Sequence, residues 1–132
     1  MTSVKERRVV VGTQADVGRA SRAALLLARQ AGLSVMRQYC VAGLVAELGR
    51  GIVGRCAQAV FVLRDDSCAR QARLGVVVRG RGPADQAALA QAPVTADAWA
   101  ARWRDSQPAR CDVEHVEGGT RLHLSYDQLP PS

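Results

Sequence analysis

From Asp16 to Gly54 the chain repeats its apolar residues at helical spacing twice in succession. In ADVGRASRAALLLARQAG, Val17, Ala20, Ala24, Leu27, Ala28 and Ala31 fall on one helical face. Asp16 is positioned as the N-cap and Gly32 as the glycine that follows the last turn, while Gly18 weakens the first turn. Ser34 then caps a second helix reaching about Gly54, apolar on nearly every side through Val35, Met36, Tyr39, Cys40, Val41, Leu44, Val45, Leu48 and Ile52. A helix apolar almost all round is expected to be buried. It holds one acid, Glu47, and three glycines, Gly43, Gly49 and Gly51. Each interior glycine costs about 1 kcal/mol against alanine, so these predict a helix face that something approaches closely.

Strand patterns flank this helical pair. RRVVVG (7–12) reads as a first strand, QAVFVLR (58–64) and RLGVVVR (73–79) as a hairpin across the polar turn DDSCARQA. GRGPADQAALAQAP reads as a loop with at most one helical turn. Thr95 caps a third helix, ADAWAARWRDSQ, with Trp99 and Trp103 on one face as core packing against the sheet. RCDVEHV (110–116) and TRLHLSY alternate around the turn EGG as a second hairpin, and the tail DQLPPS reads as frayed. The order β-α-α-β-β-α-β-β predicts an α+β two-layer sandwich, helices on one face of a mixed, mostly antiparallel sheet, in a single domain over residues 1–132.

Composition narrows the class. With 132 residues and 48% apolar content the chain can bury one core. No apolar run approaches the roughly 18 residues that cross a bilayer. The opening MTSVKERRVVVG stops being apolar at Gly12, too short for a signal peptide, so the expectation is a cytoplasmic protein with no membrane contact. Cys40, Cys56, Cys68 and Cys111 form no CxxC pair, and with only His115 and His123 there is no metal-site spacing. All four thiols are expected reduced, two of them filling core. The net charge is +6, with 17 arginines and one lysine, Lys5. These arginines are spread along the chain among acids, and aromatics make up 4%, so the clustered basic patch and stacking platforms of a nucleic-acid binder are not evident.

Four segments together resemble the GHKL superfamily of histidine-kinase-like ATPases, and within it the small anti-sigma-factor serine kinases. They are DVGRASRAALLLARQAGLS; VAELGRGIV with Glu47 and Leu48; VVVRGRGPAD with Gly80 and Gly82; and EGGTRLHL with Gly119 and Thr120. The resemblance runs from about Arg8 to Tyr126. It implies a Bergerat-like sandwich and a nucleotide site in which Glu47 is the catalytic base and Gly51, Val78, Gly80, Gly82, Gly119 and Thr120 occupy the cofactor-binding positions. It also implies a partner face on the first helix, with Asp16, Arg19 and Arg22 as contacts. The family's partners are sigma factors, STAS-type antagonists and phosphatases, and many relatives pair as homodimers through the sheet region.

Three departures bear on chemistry. Gly51 stands where the family's asparagine holds magnesium, and Val78 where its aspartate accepts from the adenine amino group. No glycine-rich lid follows Gly82. Without a magnesium ligand, phosphoryl transfer loses its main electrostatic support. An unpaired purine amino group costs about 1–3 kcal/mol on burial. The expectation is a regulatory protein-binding module without kinase activity and without a cofactor. An active ATP- and magnesium-dependent serine kinase is one alternative, a small basic nucleic-acid-binding domain another.

Blander roles compete at the same residues. Glu47 is equally a buried acid paired with Arg50 or Arg79. Gly80 and Gly82 are equally turn glycines. Arg79 and Arg81 read as solvated rim residues, Thr120 as an ordinary strand residue, and the histidines as structural.

Overall fold

The computed structural model describes residues 5–68, 70–91 and 110–127. In chain order these form β1 (Glu6–Val11), α1 (Gln14–Gln30), α2 (Val35–Ile52), β2 (Ala59–Asp65), β3 (Gln71–Gly80), α3 (Pro83–Gln91), β4 (Arg110–Val116) and β5 (Gly119–Asp127). The fold is α+β. Among the described residues five strands form one open sheet in the order β1-β2-β3-β5-β4, and every pairing between these strands is antiparallel in place of the mixed sheet expected. The helix expected over ADAWAARWRDSQ, with Trp99 and Trp103, lies outside the described residues.

Local chemistry explains the helix ends. Thr13, not Asp16, is the N-cap of α1: its side chain accepts from the Asp16 N–H, and Asp16 is the third helical residue of a capping box. Gly32 ends α1 with φ 84°, its N–H donating to the Arg29 carbonyl while the Leu33 N–H donates to that of Ala28. This left-handed glycine exit satisfies two end carbonyls and turns the chain straight into α2. Ser34 caps α2 by accepting from the Arg37 N–H at 3.3 Å. The stretch expected as a loop, PADQAALAQ, is instead the nine-residue helix α3. Proline is at no disadvantage at the first helical position, where its missing N–H would have had no partner.

Both long helices pack on one side of the sheet around a single core. α1 buries its alanine stripe with Val17 and Leu27. α2 buries Val41, Leu44, Val45, Leu48 and Ile52, and each of the larger side chains contributes about 2 kcal/mol by leaving water. The sheet answers with Phe61, Leu63, Leu74, Val76, Val78, Leu122, Leu124 and Tyr126, and Leu89 of α3 joins them. The Ser21 hydroxyl donates to the Ala42 carbonyl at 2.9 Å, fixing the two helices together.

α2 is not buried all round. Val35, Met36 and Tyr39 on its first turns are 65%, 78% and 65% exposed, because its buried positions follow one stripe from Val41 onwards. Gly49 alone of its glycines is a close approach: a Cβ there would meet Val17 of α1 at 2.9 Å. Gly43 and Gly51 face open space. Cys40 and Cys56 pack against the core, and Cys68 is exposed. No helix among the described residues is long and apolar enough to cross a membrane.

Candidate functional site

The antiparallel register sets four connections at one end of the sandwich. Val11 lies opposite Ala59, Ala59 opposite Gly80, Arg79 opposite Gly119, and Gly119 opposite Val116. The β1–α1 turn, the α2–β2 loop, the β3–α3 turn and the β4–β5 turn therefore crowd together. Nearly all the glycines of the sequence motifs are gathered there.

At the first of these turns Asp16 is fully engaged. Its Oδ2 accepts from the N–H groups of Gly12 and Thr13 at 3.0 and 3.1 Å, and its Oδ1 binds Arg19. The Gly12 N–H, then Arg19 and Thr13, hold its carboxyl down at about 2, from the usual 3.8. Asp16 thus builds the helix start. Arg19 and Arg22 remain exposed on α1.

Gly80 lets α3 sit directly on the end of β3. A Cβ on Gly80 would collide with the Gln86 N–H nitrogen and the Asp85 carbonyl carbon. The Gly80 N–H donates to Gly118 at 3.0 Å, and the Gln86 side chain donates back to the Gly80 carbonyl at 3.2 Å. Gly118 turns with φ 77°, and a Cβ on Gly119 would run into the Val78 carbonyl. Asp85 accepts from the Ala57 N–H at 2.8 Å, closing the α2–β2 loop over the same end. The Gly82 carbonyl accepts from the Gln86 N–H at 2.9 Å as the first bond of α3. The space in front of Gly80 is thus filled by the first turn of α3.

Val78 and Thr120 lie directly opposite each other in the sheet, on the helix side, at 2% and 5% exposure. Val78 is a member of the core. Glu47 is half-buried on α2, one turn before Gly51, which is exposed. Arg79 points away from α2, onto the other face of the sheet. The register therefore unites Val78, Gly80, Gly119 and Thr120, with Gly82 opening the adjoining helix. Glu47 and Gly51 lie on α2 in the helix layer, and Gly51 faces open space. Among the described residues no group of three His, Cys, Asp or Glu side chains could hold a metal ion.

The other face of the sheet holds a groove of about 540 Å³, and among the described residues the only helix that lines it is α3, through Gln86. Three rows cross it in register. Arg8, Val62, Val77, Arg121 and Glu114 form the middle row; Val10, Val60, Arg79 and Gly119 lie above it; Glu6, Arg64, Gly75, His123 and Asp112 lie below. Arg121 donates to Glu114 at 3.1 Å, His123 lies 3.3 Å from the same carboxylate, and Arg121 chiefly holds that acid below the usual range. Arg64 is 3.6 Å from Asp66, and Arg81 donates to Gln58 at 2.6 Å. Arg8 and Arg79 have no carboxylate partner among the described residues. Read along the chain these arginines are dispersed. The signal that could have united them is the strand alternation in Val60, Val62, Arg64 and Val77, Arg79, combined with the register of the hairpin.

Compared with known proteins, the chain matches no family model, and no curated protein matches it.

Proposed function

We propose that this chain is a cytoplasmic regulatory protein-binding module of the anti-sigma kinase kind that has lost phosphoryl transfer. One observation carries the reading. Val78, at the position where the resembled family reads adenine with an aspartate, is sealed into the hydrophobic core at 2% exposure. A buried valine offers no acceptor to a purine amino group. Gly51, at the magnesium position, is exposed and has no ligand oxygen. The first turn of α3 fills the space in front of Gly80 where phosphates would need backbone N–H groups. What remains for recognition on α1 is Arg19 and Arg22, with Asp16 acting through Arg19. The partner would be a STAS-type antagonist, a sigma factor or a phosphatase.

Two measurements test this. Calorimetric titration with Mg-ATP and Mg-ADP should give no saturable heat at millimolar nucleotide. Affinity purification from the source organism should recover a STAS protein, a sigma factor or a partner phosphatase. Arg19→Glu with Arg22→Glu should weaken that complex at least about tenfold. Saturable nucleotide binding would favour the active kinase instead, and recovery of none of these partners would sink the reading.

A further inference from the structure

The groove on the sheet face opposite α1 and α2 has a composition that points to a ligand. Its floor is aliphatic: Val60, Val62 and Val77 are half-buried there, and Gly75 adds no side chain. Around this floor stand Arg8, Arg64, Arg79, Arg81 and Arg121; among the described lining residues the carboxylates are those of Glu6 and Asp66, and Glu114 in the same row as Arg121 holds that guanidinium. Arg8 and Arg121 sit at opposite ends of one row, three strand spacings or roughly 14 Å apart. Arg79 and Arg64 stand on the rows above and below. Guanidinium groups without a carboxylate partner are ready donors for carboxylates, which they bind in a bidentate fork.

We propose that this face is a docking site for an acidic protein segment, one that sets an aliphatic side chain on Val62 and Val77 between carboxylates reaching Arg8 and Arg79. Charge complementarity selects that occupant, and spacing supports it. Guanidinium groups spread across four strands exceed the reach of a single phosphate, whereas an extended chain advances about 3.3 Å per residue and spans them in a few residues. Single-stranded nucleic acid lacks its usual platform here, because among the described residues no Phe, Tyr or Trp lines the groove. A second copy stacked face to face would set these arginines against their own duplicates. The site lies on the opposite face of the sheet from α1 and from Val78, so it stands whether or not the α1 surface binds a regulator.

The test is selection of short random peptides displayed on phage against the purified chain, followed by titration of the enriched peptides by fluorescence anisotropy. The expected result is a consensus of Asp or Glu around Leu, Ile or Val, with affinity that falls as salt rises. Arg8→Glu with Arg79→Glu should weaken those peptides about 100-fold. Arg29→Glu, on the helix layer, should leave them unchanged. Both variants should keep the wild-type circular-dichroism melt. Should the double charge reversal disturb folding, Arg8→Ala alone must still weaken binding about tenfold. Enrichment without an acidic consensus, or acidic peptides that bind the double variant equally well, overturns the proposal. So does an oligothymidylate that binds in the groove more tightly than the peptides, or sedimentation showing a dimer that Arg8→Glu abolishes.

Discussion

The two faces of the sheet are built from the same strands and have opposite chemistry. On β3, Val76 and Val78 are sealed under helices, while Val77 between them lies half-buried on a floor ringed by arginines. On β2, Phe61 and Leu63 vanish into the core, while Val62 and Arg64 look outward. Hydrophobicity alone does not separate the faces, since valines occur on both. What separates them is the row each valine joins: Val78 faces Thr120 and the helix layer, whereas Val77 shares its row with Arg8 and Arg121. A residue's role in this protein follows from strand parity and register before it follows from residue type.

Adjacent substitutions give the sharpest way to break that contrast. Val78→Asp buries an unpaired carboxylate and should cost about 4 kcal/mol or more, most of the stability of a small domain. Val77→Asp lies opposite Arg121 on the groove face and should cost about 1 kcal/mol or less. Urea unfolding measures both, and equal losses would mean that the groove face is closed. Glycines should repeat the pattern more weakly. Gly49→Ala pushes a methyl into Val17 and should cost about 1–2 kcal/mol net of its helix-propensity gain. Gly75→Ala, whose Cβ would sit at an ordinary 3.6 Å from Asp66, should be neutral or gain about 0.5 kcal/mol.

Smaller effects sharpen the helix side. Thr13→Ala removes the N-cap of α1 and should cost about 1 kcal/mol in thermal melts. The depressed carboxyl of Asp16 contributes stability that is complete above its ordinary value of 3.8 and is lost as the pH falls towards about 2. Melts of wild type and Asp16→Asn should therefore differ at neutral pH and converge as the solution is acidified through that window. Smallest is a difference in thiol reactivity. Backbone N–H groups of Arg70 and Gln71 lower the Cys68 thiol, whereas burial and then Asp85 raise that of Cys56. Iodoacetamide should modify Cys68 about tenfold faster near neutral pH.

Much of this architecture was legible in the chain. Periodicity located both long helices and both hairpins to within a few residues, because each buries a regular stripe. The Ser34 cap and the exit at Gly32 followed from side-chain and glycine chemistry. Three features were hidden for physical reasons. Asp16 is a natural cap by type, but Thr13 takes that role because the capping box needs the acid three residues later. PADQAALAQ opens with a proline and ends without a cap signal, so its helix depends on docking Leu89 and on the space Gly80 leaves. Four of the five groove arginines come from four separate strands, and only pairing brings them together. As for the motif positions, Val78, Gly80, Gly119 and Thr120 do share one end of the sheet, and their proximity is a property of the register that spacing along the chain does not reveal.

The strand order β1-β2-β3-β5-β4 has a consequence for colloidal behaviour. Among the described residues it leaves β1 and β4 as the outermost strands, and an open sheet offers unpaired N–H and C=O groups along such margins to any passing strand. β1 meets that hazard with Glu6, Arg7 and Arg8, all exposed, and β4 with Asp112, Glu114 and His115. A foreign strand would have to lie against ionic side chains to extend the sheet, so the same margins that close the fold also discourage its growth into fibrils.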